Sequence, residues 1–202
     1  MSRSLVETLP FRPPKDLIPF LENPPLVGNE TSEQYYSVFA AIVMAVKPKD
    51  AVHWLHVRSV VDLTWEHKRE AAAKTAVIAM MQKEVILELL KATHDDPTSL
   101  EANVYRIFKV GDEAGQWAIN AAARKKIDAG LAAKGYSAQE VLARAYMRGA
   151  KQIDAIDKRI ASYEVRRMMA LREIERRDEK LARRLKETTS EIIDAEFSET
   201  AA

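Results

Sequence analysis

Residues 137–193 read SAQEVLARAYMRGAKQIDAIDKRIASYEVRRMMALREIERRDEKLARRLKETTSEII, with no proline and a single glycine, Gly149. Most of the remaining residues favour helix, so the stretch predicts one very long helix. Ser137 and Glu140 form a capping box, and Gly135 suits the left-handed residue that closes a preceding helix. At about 1.5 Å per residue such a helix is on the order of 80 Å long, longer than a small domain is wide. We therefore expect it to project, or to pack against a second long helix.

Apolar residues recur along this helix at steps of three and four, which is the pattern of a coiled-coil seam. The step from Tyr163 through Arg167 to Leu171 is four plus four, an interruption that locally unwinds a supercoil. We predict that the chain associates with itself, as a homodimer or higher oligomer, or with another helical protein. The predicted seam is Ile153, Ile156, Ile160, Leu171, Ile174, Leu181, Leu185 and Ile192. The pattern leaves open whether the helix packs within the chain or across subunits.

The net charge of +1 is unevenly distributed. Residues 144–186 carry 14 Lys and Arg against 7 Asp and Glu, and the acidic stretch after residue 186 carries five acids and no base. Arginine suits contacts with phosphate, so the alternative function is a nucleic-acid-binding accessory protein. Its contacts would be Arg159, Arg166, Arg167, Arg172, Arg176, Arg177, Arg183 and Arg184. Acidic residues interleave with these arginines, which is also typical of a salt-bridged coiled-coil surface.

The composition predicts an all-α fold, an elongated helical bundle with a long coiled-coil-like C-terminal helix. Only six glycines and eight prolines occur, and six of the prolines fall within the first 25 positions, so little remains to punctuate strands. The absence of cysteine excludes disulfides, thiolate metal sites and thiol nucleophiles. The longest uncharged run, residues 34–46, is 13 residues and short of the ~20 that a membrane span needs. With no signal-peptide pattern, we expect a cytoplasmic protein without membrane contact.

Four regions are predicted: an arm over 1–29, a helical body over 30–136, the long helix over 137–195 and an acidic tail over 196–202. The arm is proline-rich and apolar, which predicts an extended strap lying over the body; the alternative is a docking peptide for another protein. Within the body, capping residues and breakers predict helices over 31–46, 49–93, 98–110 and 112–134. Helix 49–93 is apolar on more than one side and is the expected partner of the long helix.

Candidate catalytic chemistry is sparse. His53, His56, Asp62 and Glu66 lie on one predicted helix, but they do not share a face as metal ligands would. We interpret the histidines as hydrogen-bonded core residues, and Asp62 as the partner of Arg58 in an ion pair rather than as a functional carboxylate. No phosphate loop, nucleophile elbow or Ser/His/Asp set occurs. The prediction is a protein that is not an enzyme, with no catalytic residue, cofactor or metal.

Several short motifs are spread along the chain. They are PLVGNE at 25–30, FAA at 39–41, KPKD at 47–50, DLTWE at 62–66, KGY at 134–136, LARAY at 142–146, IASYE at 160–164 and IDAEF at 193–197, together with Tyr36 and Trp54. Through them the chain resembles a family of uncharacterised bacterial proteins that often occur as several paralogues. The family has no established activity, so the resemblance implies no catalytic residue. It implies a bacterial, intracellular protein that forms one coherent unit.

Overall fold

The structure is a computed structural model that describes the backbone at residue 6 and over residues 9–93 and 100–199. Side chains of the last helix are described as far as Lys180, and at Arg183. All the regular structure in this part of the chain is helical, which confirms the predicted all-α class. The helices are α1 (Ile18–Leu21), α2 (Ser32–Val46), α3 (Ala51–Thr93), α4 (Leu100–Ile119), α5 (Ala121–Ala133) and α6 (Ala138–Glu199).

The two long helices, α3 and α6, pack together, as the sequence predicts. They run antiparallel. Ion pairs mark the pairing: residues later in α3 meet residues earlier in α6. Lys49, just before α3, pairs with Asp178, whereas Glu70 pairs with Arg159 and Glu88 with Arg148. The long C-terminal helix therefore has its partner within the chain.

The chain divides into two compact units, and each contains a stretch of both long helices. The first comprises Met1–Lys68 and Ala161–Ala202, and the second is Arg69–Ile160. No helix in the described part has an 18-residue stretch apolar enough to cross a membrane.

The core of the first unit is aromatic. Tyr35 on α2 meets Trp65 on α3, and Phe39 on α2 meets Trp54 on α3, both edge to face, with ring centroids 5.5 and 6.3 Å apart. Tyr36 packs edge to face on Tyr35, with ring centroids 5.4 Å apart. Such edge-to-face pairs add to the burial of the rings. Aliphatic residues from α3, α6 and the N-terminal arm complete this core: Val57, Val60, Val61, Ile174, Val6, Leu9 and Leu21.

The N-terminal arm packs on the helices of the first unit, as expected of a strap. Its path is not extended throughout, however, because a 3-10 turn over Lys15–Leu17 leads directly into α1. Proline is tolerated in the first turn of a helix, where Pro19 lies. Leu21 is fully buried, and its carbonyl oxygen accepts a hydrogen bond of 2.7 Å from Tyr36 Oη.

The core of the second unit is mainly aliphatic. It joins the C-terminal half of α3 to one side of α4, to α5 and to the start of α6. Its buried residues are Met81, Val85, Ile86, Leu89, Leu90, Val110, Ala114, Trp117, Leu131, Val141 and Ala145. Gly149 on α6 lies against α3: a Cβ built at Gly149 would be 3.2 Å from Met81 Cγ and 3.6 Å from Val77 Cγ1. The absence of a side chain there lets the two long helices approach closely.

Two of the predicted helix starts are confirmed. Thr31 Oγ1 accepts a hydrogen bond of 3.3 Å from the Gln34 amide at the start of α2. Ser137 Oγ accepts one of 3.1 Å from the Glu140 amide at the start of α6, and Gly135 has a φ of 90°. These side chains satisfy amides that have no partner within the helix.

The predicted helix break at Gly111 is wrong. Helix α4 runs through Gly111 and Gly115, and the only glycines with positive φ in the described part are Gly28 and Gly135. The break falls at Asn120, whose backbone is extended and whose side chain accepts from the Ala122 and Ala123 amides. A glycine weakens a helix without ending it unless the chain needs a left-handed residue there. The predicted cap at residue 98 lies outside the described residues.

Candidate functional site

One side of α6 is already occupied within the chain. Ile153, Ile156 and Ile174 of the predicted seam are buried, Leu171 packs on the first core, and Ile160 is half-buried. The remaining seam residues lie where α6 side chains are not described, and they are Leu181, Leu185 and Ile192. Self-association through that last part of the seam stays a prediction.

The opposite side of α6 exposes apolar side chains in the first unit. Val165 lies nine residues before Ile174, about two and a half helical turns, and therefore on the other side of the helix. Val165, Met168 and Met169 are 54%, 49% and 63% exposed. Methionine is flexible and polarizable and adapts to differently shaped partners. We take these three residues as the candidate site and call them the outward face of α6.

Asp178, which lies between the seam residues Ile174 and Leu181, has a specific role in the first unit. Asp178 Oδ1 lies 2.8 Å from Lys49 Nζ and 3.7 Å from His53 Nε2. Next to it, Arg177 reaches Asp50 at 3.3 Å, and Asp50 caps α3 by accepting a hydrogen bond of 2.8 Å from the His53 amide. That amide, and then Arg177, lower the pKa of the Asp50 carboxyl. These contacts fix the register of α6 against the start of α3.

Several of the predicted nucleic-acid contacts form ion pairs within the chain. Arg159 bonds Glu70 at 2.6 Å, Arg176 pairs with Glu173 one turn away, and Arg177 pairs with Asp50. These carboxylates compensate positive charge that phosphate would otherwise meet. The exposed Arg166 and Arg172, and the half-buried Arg167, take part in none of these pairs. Arg183 is exposed, and the side chain of Arg184 is outside the described part.

The predicted ion pair between Arg58 and Asp62 is present, and it forms the centre of a buried polar network. Arg58 Nε lies 2.9 Å from Asp62 Oδ2, while its Nη1 and Nη2 donate to the carbonyl oxygens of Leu21 and Asn23. Tyr35 Oη donates to Asp62 Oδ1 at 2.5 Å. Burial, reinforced by this hydrogen bond, raises the pKa of Tyr35.

This network ties the arm to α2 and α3, and each of its charged groups is bonded to groups of the chain itself. Both oxygens of Asp62 accept hydrogen bonds, one of them from Tyr35 and Arg58 together. A carboxylate held in this way is stabilised as a structural partner rather than left available to a substrate. The arrangement accounts for the buried arginine, which is 6% exposed.

The candidate metal residues are not brought together. His53 is buried, and its Nδ1 accepts a hydrogen bond of 3.3 Å from the Lys49 amide. Asp62 is bound by Arg58 and Tyr35. Among the described residues, no three His, Cys, Asp or Glu side chains are arranged to hold a metal ion.

The second unit contains a cavity of about 370 Å³ that sequence reasoning did not predict. It lies between the end of α3, α4 and α5, and the apolar residues that line it are Leu90, Ile127 and Leu131. Lys134, also in the lining, donates from Nζ to the Thr93 carbonyl at 2.6 Å. No sequence signal marked this cavity, because it depends on how three consecutive helices pack against one another.

No protein-family model, curated protein or solved structure matches this chain. The resemblance to uncharacterised bacterial proteins stays a prediction. Several of its residues have structural roles: Asp50 caps α3, Asp62 binds Arg58, and Tyr36, Phe39, Trp54 and Trp65 are buried in the first core. The functional argument therefore depends on the exposed surfaces.

Proposed function

We propose that this protein is a non-enzymatic helical interaction protein that binds a partner through the outward face of α6. In this view α3 is the support that holds α6, and α6 carries the binding residues. The observation that supports the proposal is the asymmetry of α6. Ile174 is buried in the first core, whereas Val165 and Met169, on the other side of the same helix, are more than half exposed.

The partner that this surface fits is an amphipathic helix with apolar and acidic residues. Its apolar side chains would pack on Val165, Met168 and Met169, as in helix-in-groove recognition. The exposed guanidinium groups of Arg166 and Arg172 flank these residues. Carboxylates of the partner would bind these arginines and fix the orientation of its helix.

The proposal is tested by placing a photo-crosslinking residue at Met168 in cells of the source organism. The expected result is one discrete crosslinked protein, which is then purified for binding measurements by calorimetry. Substitution Met169→Lys should weaken its binding by about tenfold, because a charged group replaces a buried apolar one at the interface.

Two controls accompany this test. A crosslinker at the exposed Glu33, in the first turn of α2, should give less of the product. The variant Gln152→Lys adds the same charge at an exposed position elsewhere on α6 and should leave the affinity unchanged. Equal crosslinking from Glu33, or unchanged affinity in Met169→Lys, would refute the proposal.

The alternative, nucleic-acid binding by the arginines of α6, is tested with duplex and single-stranded probes over a series of salt concentrations. Each phosphate contact that is lost should reduce the salt slope by about one. Arg166→Ala and Arg172→Ala are the informative variants, because neither arginine belongs to the ion pairs described above. An absence of binding at low salt ends this alternative.

A further inference from the structure

Helix α4 in the second unit carries a stripe of apolar and small residues that faces away from its core. Val104, Phe108, Gly111 and Gly115 follow one another at steps of four, three and four, the spacing of a helix-pairing seam. Tyr105 and Ile107 flank the stripe on its two sides, and Ile119 extends it at the end of the helix. Phe108 is 74% exposed, Tyr105 71% and Ile119 82%.

The core of the second unit does not account for this stripe. The neighbouring side of α4, about a third of a turn away, supplies that core through the buried Val110, Ala114 and Trp117. The polar residues of α4, among them Lys109, Asp112 and Gln116, occupy the remaining side. The apolar side of α4 is therefore wider than this core covers, as expected of a helix that packs on a second neighbour.

The two glycines of the stripe give a second indication. Among the residues that the structure describes, a Cβ built at Gly111 or Gly115 would meet nothing within 4 Å, and neither glycine has a positive φ. Alanine would therefore fit at both places and would favour the helix. Gly149 differs, because its missing side chain is explained by the contact with Met81 on α3. Glycines in the middle of an apolar helix stripe allow another backbone to approach closely.

The exposed area is of the size that a dimer needs. Aromatic side chains each bury about 150–250 Å² at interfaces, so Tyr105, Phe108, Val104, Ile107 and Ile119 together present on the order of 600 Å². A stable protein interface buries roughly 800 Å² per partner, and the polar margin of α4 supplies the remainder.

The order of residues along the stripe indicates which partner fits it. The large residues, Val104 and Phe108, precede the small ones, Gly111 and Gly115. In an antiparallel pair of identical helices, the large residues of one copy lie opposite the glycines of the other. A two-fold axis near the middle of the stripe produces this match twice.

We propose that α4 is a self-association surface, on which a second copy of this chain packs its own α4 antiparallel, with Phe108 of each copy over the glycines of the other. This inference goes beyond the partner binding proposed for α6 and does not depend on it. The two surfaces lie on different helices and in different units.

The proposal is tested by sedimentation equilibrium of the full chain over a range of concentrations. The wild-type protein should form a dimer, and Phe108→Lys should raise the dimer dissociation constant at least a hundredfold. Its helical circular dichroism should stay unchanged, because Phe108 is largely exposed within the chain. A monomer at every concentration overturns the proposal. A dimer that Phe108→Lys leaves intact also overturns it, since another surface, such as Leu181 and Leu185, would then hold the copies together.

The glycines provide a test in which two effects have opposite signs. Gly115→Ala should raise the Tm of the dilute monomer by about 2–4 °C, because alanine favours helix and its added Cβ meets none of the described residues. The same variant should raise the dimer dissociation constant about tenfold, because the added methyl separates the paired helices. Gly130→Ala is the matched control: it lies in α5, its added Cβ also meets nothing, and it should raise the Tm without changing dimerisation. If both variants affect the dimer equally, the close approach at Gly115 is refuted.

Orientation is tested by single cysteines, since the chain contains none. In the antiparallel pair, Asp112→Cys places the two Cα atoms about 8 Å apart along the helix axes, within reach of a short bis-maleimide crosslinker between copies. Glu101→Cys places them about 26 Å apart, too far for that crosslinker. Crosslinking at Glu101→Cys would overturn the antiparallel arrangement.

Discussion

The two units of this chain use different means to stabilise similar helices. The first surrounds one buried ionic network with aromatic rings, and it uses the N-terminal arm to close that core. The second has a mainly aliphatic core, and one of its helices exposes Tyr105 and Phe108. The aromatic rings that join α2 to α3 in the first unit are buried within the chain, whereas the aromatic rings of Tyr105 and Phe108 on α4 are exposed. The exposed side of α4 is therefore a surface where a binding partner is expected.

The largest expected effect comes from removing the ionic centre of the first unit. Arg58→Met keeps an apolar side chain of similar length but leaves Asp62 and the carbonyls of Leu21 and Asn23 without their donor. Losing one partner of a buried charge pair lowers the free energy of unfolding by about 3–5 kcal/mol. Because Asp62 is partly exposed, we expect a loss of about 3 kcal/mol here. We expect a loss of that size in chemical denaturation, with faster amide exchange around residues 21–23.

The matched control lies in the second unit. Arg124 also donates to two carbonyl oxygens, those of Trp117 and Ala118, and it lies over the Trp117 ring. Because Arg124 is exposed, water can replace its bonds, so Arg124→Met should cost less than about 1 kcal/mol. Equal losses in the two variants would contradict the special role of the buried arginine.

The features that were predicted correctly are encoded either by short motifs or by long stretches without helix breakers. The caps at Thr31 and Ser137 involve side chains and amides three residues apart, so each is encoded by a short motif. The pairing of α3 with α6 follows from two long stretches without breakers. The bonds from Arg58 to the arm join residues 35 and 37 positions apart, and no local pattern encodes them.

The candidate site was predictable only in part for the same reason. The heptad spacing identifies an apolar side of α6, and Ile153, Ile156 and Ile174 on that side are buried. It does not say whether the buried contact is made within the chain or with a partner. The predicted helix break at Gly111 is wrong because, in the sequence, a glycine that ends a helix cannot be told from a glycine within a helix. The two differ in their φ angle. Asn120, the actual break, is a strong capping residue that the nearby glycines obscured.

The next largest loss of stability is expected at Gly149, where α6 contacts α3 in the second unit. Gly149→Val adds two methyl groups beyond a Cβ that already meets Met81 at 3.2 Å. Overpacking of this kind costs about 1–3 kcal/mol, and β-branching disfavours helix slightly. Thermal unfolding should show the loss, with faster amide exchange around residues 77–81 and 145–153. A stabilised Gly149→Val protein would contradict the close contact of α3 with α6 at that point.

A smaller effect is expected at the break between α4 and α5. Asn120→Ala removes the side-chain oxygen that accepts from the Ala122 and Ala123 amides, which typically costs about 1 kcal/mol. Asn120→Asp keeps an acceptor and places a negative charge at the start of α5, so it should retain the stability. Urea denaturation of the two variants measures this difference. If Asn120→Asp lost as much stability as Asn120→Ala, the side-chain NH2 group of Asn120, and not its capping oxygen, would be the source of the stabilisation.

The smallest effect concerns charge at the start of α3 in the first unit. The His53 amide, followed by Arg177, lowers the pKa of Asp50 below its usual value of about 3.9. A carboxyl whose folded pKa is depressed contributes stability above its unfolded pKa, and that contribution disappears as the pH falls through the folded pKa. Asp50→Asn keeps the capping acceptor but removes the charge, so its Tm should lie slightly below wild type at pH 7 and converge on wild type in acid, as the pH falls through the folded pKa of Asp50. Asp50→Ala loses the cap as well and should stay lower at pH 7 and in acid. An Asp50→Asn deficit that persists unchanged in acid would mean that Asp50 acts through the geometry of the cap and not through its charge.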